Sequence, residues 1–235
     1  MSALLDIRHV DSGYGQKQVL HDISLQVNEG EQVLLAGSNG SGKSTLFKVI
    51  YGLLGAWSGE VYFADALLQS KTLHTPASRL ISSGLMYIPQ KGELYDDLSV
   101  WDNVYCSLLH LRDKSEIDRH MEEVFEQMPL LRKKAKQIAG RLSGGERKML
   151  SLGMVLANRP RLLLYDEPLA GLSGDNIDQV MTFLSELKQR GTTILLIEHR
   201  IRELIDHVDR VVGLRLGTLY RGDLSTLDNI KQFIV

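Results

Sequence analysis

Eight consecutive residues carry the strongest chemical signal in this chain: Gly37-Ser38-Asn39-Gly40-Ser41-Gly42-Lys43-Ser44 fits the pattern G-x-x-x-x-G-K-[ST]. Glycines in such a run let the backbone curl until consecutive N–H groups face one phosphate. A helix starting near Lys43 adds its positive end to that cradle. Lys43 then reaches the outer phosphates of a nucleotide, and Ser44 offers its hydroxyl to Mg2+. The competing explanation is a chance glycine-rich turn. The surroundings disfavour it: an apolar run over residues 32–36 precedes the motif and a helical pattern over 46–54 follows, the strand–loop–helix order the chemistry needs. Asn39-Gly40-Ser41 also fits a glycosylation acceptor, but it lies inside the loop and the first residues lack a secretion pattern.

Two further motifs point to the same chemistry. Leu162-Leu163-Leu164-Tyr165-Asp166-Glu167 is an apolar strand ending in two carboxylates. Asp166 can hold Mg2+, and Glu167 at the strand tip can polarise an attacking water. Alone, the stretch reads equally well as a strand and an acidic turn broken by Pro168; beside a phosphate loop, the catalytic reading wins. Leu142-Ser143-Gly144-Gly145-Glu146 opens a second helix with free N–H groups. By itself it is an ordinary N-cap. With the first loop, one chain carries two anion-binding helix ends about a hundred residues apart.

The elements that must position these residues fall into three stretches. Residues 4–10, 24–27, 32–36 and 60–64 read as strands. From about 99 to 158 the β-branched alternation disappears, and helices are expected over 116–128 (interrupted by Pro129) and 145–158. The last third alternates: strands at 162–165, 193–197 and 211–216, helices at 175–189 and 200–207. Alternating strands and helices imply a parallel sheet covered by helices, with ligands outside the carboxyl ends of its strands. The middle stretch is a mostly helical lobe inserted into that α/β body.

With these motifs in this order, the chain resembles the nucleotide-binding subunit of an ATP-binding cassette (ABC) transporter, over essentially its whole length. Leu142-Ser143-Gly144-Gly145-Glu146 matches the family signature and falls between the two nucleotide motifs. Three weaker matches follow the family's order: Tyr14 in Gly13-Tyr14-Gly15, Gln90 in Tyr87-Ile88-Pro89-Gln90, and His199 after Glu198. The resemblance implies one domain over 1–235: an α/β P-loop NTPase body (1–90 and 159–235) with a mainly parallel sheet, an N-terminal antiparallel β subdomain, and a helical signature subdomain (91–158).

It also implies roles. Tyr14 stacks on adenine; Ser38, Asn39, Gly40, Ser41, Gly42, Lys43, Ser44 and Thr45 hold the phosphates of ATP. Ser44, Gln90 and Asp166 serve Mg2+, Glu167 is the general base, and His199 stabilises the γ-phosphate with Gln90 beside it. Ser143, Gly144, Gly145 and Glu146 act in trans, because two cassettes pair head to tail, either two copies of this chain or this chain with a related subunit. The implied partner is an integral-membrane transporter subunit, reached through Gln90 from the cytoplasmic face, with a solute-binding protein in an importing complex. Two departures stand out. The family's usual Ser-Ala-Leu-Asp reads Ala170-Gly171-Leu172-Ser173, and the signature ends in Glu146 rather than glutamine. The 87–90 segment, the 97–103 segment and Glu198-His199 are similar to the branched-chain amino acid importers and to the lipopolysaccharide-export ATPases, the former closer at Glu198-His199.

Bulk properties exclude other classes. The chain has 235 residues, with 27 Lys and Arg against 29 Asp and Glu, for a net charge of −2. That balance argues against a dedicated nucleic-acid binder. The basic run 132–136 reads as a solvated helix face. With one cysteine, Cys106, no intrachain disulfide forms, and no apolar stretch reaches membrane-spanning length. The histidines lack metal-site spacing. Trp57 and Trp101 are expected in the core or at an interface, Trp101 beside the partner groove. Among cassette proteins that are not transporters, a soluble ATPase acting on a protein scaffold, such as the iron–sulfur assembly type, fits the same motifs. DNA-maintenance cassettes need coiled-coil insertions that are missing here, ribosome-acting ones usually carry two cassettes, and the guanine-reading motif of GTPases is absent from the sequence.

Overall fold

The structure, a computed structural model, describes residues 3–91, 94–220 and 222–234. The chain begins with β1 (Ala3–Tyr14), β2 (Lys17–Asn28), β3 (Gln32–Ala36), α1 (Lys43–Ile50), β4 (Ser58–Phe63), β5 (Ala66–Ser70), α2 (Ala77–Ser82) and β6 (Leu85–Ile88). A helical stretch follows: α3 (Val100–Ser107), α4 (Lys114–Gln127), α5 (Pro129–Lys133) and α6 (Gly144–Asn158). Then come β7 (Leu162–Asp166), α7 (Asp175–Gln189), β8 (Thr193–Ile197), α8 (Ile201–Leu204), β9 (Arg210–Arg215), β10 (Thr218–Tyr220) and α9 (Leu227–Ile234).

Two sheets form. One is antiparallel, in the order β2-β1-β4-β5; the other runs β10-β9-β3-β8-β7-β6 and is parallel except for the terminal β9–β10 hairpin. β3, β7 and β8 are buried along their whole length, which is why they read as unbroken apolar runs. Strand pleating sends alternate residues to opposite faces. Leu34, Leu163, Tyr165, Ile194 and Leu196 join a core shared with the helices α3–α7. Val33, Leu35, Leu162, Leu164, Leu195 and Ile197 join a second core with α1 and the antiparallel sheet. The central strands are thus clamped on both faces.

The expected α/β body and inserted helices are present. Helix boundaries in the inserted stretch follow local chemistry. Ser99 and Asp102 form a capping box at α3, and Asp113 caps α4. Pro129 ends α4 and opens α5, since it has no N–H to donate but fits a first helical turn. The first strands differ from the sequence reading. They run 12 residues each rather than 7 and 4. Their pairing is irregular, with register shifts between Ile7 and Val10 and between Val10 and Ser12, and left-handed backbone at His9 (φ 50°) and Asp22 (φ 51°). Such bulges break the period-2 signal. The helix expected over 46–54 spans 43–50. Elements β5, α2, β6, β10 and α9 lie outside the segments that the alternation marks.

Candidate active site

The phosphate loop joins β3 to α1. Its shape depends on two glycines. A Cβ on Gly37 would stand 2.2 Å from the Leu214 carbonyl oxygen of β9, and Gly42 has φ 109°, a conformation side chains rarely adopt. Inside the curl, Lys43 folds back so that Nζ donates to the carbonyls of Gly37 (2.8 Å) and Ser38 (2.9 Å). Burial lowers the Lys43 pKa, while the charges of Asp166 and Glu167 pull the other way. Ser41 is buried in the same curl, its hydroxyl without a hydrogen-bond partner among the described residues. A buried ammonium on carbonyl oxygens and an orphan hydroxyl are groups an incoming phosphate satisfies. Ser38, Asn39, Gly40 and Ser44 are exposed at the loop's mouth and Thr45 is buried on α1.

Asp166 ends β7 with its side chain buried. Burial is the main cause raising its pKa above the ordinary carboxylate value; the Ser44 hydroxyl, hydrogen-bonded to it, opposes the rise, as do Lys43 and His199, while Glu167 adds to it. The buried hydroxyl of Tyr87, at the end of β6, also hydrogen-bonds Asp166, and its own pKa is driven up, mostly by burial. The donor set, a carboxylate and a hydroxyl side by side with an amide nearby, is hard oxygen chemistry suited to Mg2+, which typically takes one or two protein carboxylates plus substrate phosphates. Among the described residues there is no His, Cys, Asp and Glu cluster of the kind that builds an all-protein metal cage. The residues fit Mg2+ carried in with a nucleotide.

Glu167 follows with φ 53°, a left-handed conformation that is strained for a non-glycine residue, the more so before Pro168. Strain of this kind concentrates at functional sites. Its N–H donates to Ile197 of β8 (2.8 Å). Its carboxylate lies between two groups named in the sequence reading: Gln90 Nε2 donates to Oε2 at 2.5 Å, and His199 Nε2 stands 3.4 Å from Oε1. Three loops, after β6, β7 and β8, therefore converge on one carboxylate.

Tyr14 is 46% exposed at the end of β1, with the Lys48 ammonium of α1 5.7 Å from its ring centre. One aromatic face beside the phosphate loop is thus open for stacking.

The signature residues stand elsewhere in the chain. The Ser143 hydroxyl accepts from the Glu146 N–H, and the Glu146 carboxylate accepts from the Ser143 N–H at 3.0 Å, a capping box at the start of α6. Lys134 pairs with Glu146 at 2.7 Å and is the main cause lowering its pKa. Gly145 lies against Asn176 of α7; a Cβ there would stand 2.9 Å from the Asn176 amide oxygen. Glu146 is therefore engaged within its own chain, while at this helix end Gly144 is exposed and Gly145 is half-buried.

The family model for ABC transporters matches residues 20–170. The chain belongs to the ABC transporter family. The cassette is 33% identical over 220 residues to the high-affinity branched-chain amino acid transport ATP-binding protein BraG of Pseudomonas aeruginosa, covering 94% of this chain and 92% of the relative. It is 30% identical to the lipopolysaccharide export system ATP-binding protein LptB of Escherichia coli K12, covering 92% and 89%. Among solved structures, a nucleotide-free cassette from an ABC transporter superposes with TM-score 0.83 at 26% identity, covering 98% of this chain and 96% of that one. A cassette in its ADP conformation also gives 0.83, at 25% identity, covering 99% and 94%. The cassette is the ATP-binding subunit of an ABC transporter and an ATPase.

The motif residues expected from sequence thus sit in two places: phosphate loop, Tyr14, Gln90, Asp166, Glu167 and His199 around the strand ends, the signature on the helical lobe. Four residues of the site escaped the sequence reading: Tyr87, Lys48, Asn176 and the buried Glu198. Only Glu198 leaves a trace in sequence, as a charge directly after the apolar run 194–197.

Proposed function

We propose that the cassette powers uptake of an amino acid by hydrolysing ATP in a head-to-tail pair docked on the cytoplasmic face of an integral-membrane subunit, with a solute-binding protein in the assembly. The observation that carries this reading is the double position of the β6 end. A groove of about 720 Å3 runs between body and lobe, lined by Tyr51, Met86, Tyr87, Pro89, Cys106 and His110 among others. Its wall ends at Pro89, and the next residue, Gln90, holds Glu167. A helix of a membrane partner seated there would move Gln90 and so the catalytic carboxylate. Trp101 does not line the groove; the wall is the other end of α3, and Trp101 stacks on Tyr105 (5.0 Å). No helix of the described residues is long and apolar enough to cross a membrane, which fits a peripheral subunit. The likeness to BraG supports amino acid as cargo; the likeness to LptB keeps export as the competing outcome.

In this reading Tyr14 stacks the adenine, and the loop amides with Lys43 hold the phosphates. Ser44, Asp166 and Gln90 would hold Mg2+, which would supply charge neutralisation for phosphoryl transfer. Glu167 accepts the proton of the attacking water, while Gln90 and His199 fix the carboxylate on either side. The donors of Ser143, Gly144 and Gly145 reach the γ-phosphate from the second cassette.

The test is co-purification of the tagged chain from native membranes in mild detergent, with partners identified by mass spectrometry. A polytopic membrane protein together with a solute-binding protein supports amino acid uptake. A membrane protein with lipopolysaccharide-export partners overturns the cargo and direction; a soluble scaffold alone overturns the transport reading.

A further inference from the structure

One buried carboxylate outside the expected set ties the loops of the site together. Glu198 closes β8 and is 3% exposed. Its Oε1 accepts the Leu169 N–H at 2.7 Å; its Oε2 accepts the N–H groups of His199 (2.7 Å) and Arg200 (3.0 Å). Arg200 extends the clasp, donating from Nη1 to the Leu172 carbonyl at 2.8 Å. Leu169 and Leu172 belong to the loop that starts at the strained Glu167, and His199 faces the Glu167 carboxylate. That loop ends in Ser173 where the resemblance leads one to expect an aspartate.

We propose that Glu198, with Arg200, is a positioning residue for hydrolysis: a clasp within one chain that locks the 167–173 loop to the His199 loop, so that Glu167 and His199 keep one mutual geometry. A carboxylate, here on a buried side chain, has the acceptor capacity for three backbone N–H groups. An amide does not. Glutamine offers one acceptor oxygen, and its NH2 would confront an N–H donor, leaving at least one backbone donor buried and unpaired. Among the described residues none of the clasp's four hydrogen bonds reaches the phosphate loop, so nucleotide affinity and turnover are expected to separate on its loss. The inference rests on the reading of Glu167 and His199 as base and γ-phosphate group.

The experiment compares Glu198→Gln with the native chain by ATP titration and steady-state hydrolysis. The expected result is a Kd for ATP within about twofold of native and a kcat reduced about tenfold or more, the split expected when an interaction made only in the transition state is lost. A double-mutant cycle with His199→Ala gives the second readout. If the clasp acts through His199, the double variant loses little more than the worse single one. A native kcat in Glu198→Gln overturns the proposal, as do losses that multiply in the cycle. Should Glu198→Gln not fold, Arg200→Met, which removes only the bond to Leu172, is read the same way: a lower kcat with unchanged Kd supports the clasp, and a native kcat overturns it. Lys43→Ala, run alongside, tests the site reading separately; native hydrolysis in that variant overturns the site assignment whatever Glu198→Gln does.

Discussion

Asp166 is the residue at which stability and function oppose each other most plainly. Burial favours its neutral form, and Ser44, Lys43 and His199 compensate the charge only in part. Its folded-state pKa is raised, so its favourable contribution is complete below the ordinary value of 3.8 and is lost as pH rises through the folded value. At neutral pH, without nucleotide or metal, the ionised side chain lowers stability. Asp166→Asn should therefore melt above the native chain at pH 7, by about 2–4 °C for each kcal/mol recovered. The gap should close below pH 4, and ATP hydrolysis should be lost. Paired melting curves across pH decide this; a native chain that melts higher at pH 7 would remove the buried-charge account. At Glu167 the expectation is different. Glu167→Gln keeps the shape and the contact region of Gln90 but cannot accept a proton, so ATP should still bind while kcat falls about 10²–10⁴-fold. Turnover at the native rate would show that another group is the base. The phosphate loop and the two carboxylates were legible because their chemistry needs adjacent residues. Tyr87 and Glu198 were not, because their partners lie far away in sequence: Glu198 meets Leu169 29 positions back.

At the scale of elements, the signature helix shows how one end serves two purposes. Its cap binds Ser143, Glu146 and Lys134 together, with Gly144 exposed beside it. Glu146→Ala removes half of the capping box and one partner of a partly buried ion pair, so a loss of about 0.5–2 kcal/mol is expected, dominated by the cap. ATP binding by the single chain should be untouched, since the phosphate loop is walled by β2 and β9 instead. Chemical denaturation paired with a nucleotide titration checks both halves of that statement; weaker ATP binding in the folded variant would contradict it. Legibility at this scale followed burial. Strands buried on both faces, β3, β7 and β8, read directly as apolar runs. The long β1 and β2 did not, because positive φ at His9 and Asp22 interrupts their alternation. The three-residue β10 and the six-residue α2 are too short for periodicity to register.

Across the whole molecule, two helix ends for phosphate face different neighbourhoods: the loop of Lys43 against β9 and β2, the signature against Lys134 and Asn176. In the proposed reading these are the two halves of a phosphate clamp on separate walls of one chain, which is why the resemblance to paired cassettes could be drawn from sequence, whereas the cargo could not. In the proposed assembly cargo selection belongs to the partner seated in the groove beside Pro89, and the residues lining that groove carry no charge pattern that names a solute. The pairing itself makes a sharp demand. With turnover stopped by Glu167→Gln, ATP should accumulate between two chains and shift the protein from monomer to dimer in sedimentation velocity. ADP should not produce this, because in the proposed pairing the signature end would have no γ-phosphate to meet. Adding Ser143→Arg introduces a bulky side chain at the mouth of that helix end and removes the cap hydroxyl. It should abolish the ATP-dependent dimer while each chain still binds nucleotide through Lys43. If the double variant dimerises with ATP as readily as Glu167→Gln alone, the signature does not act across the pair, and the second anion-binding end needs another ligand.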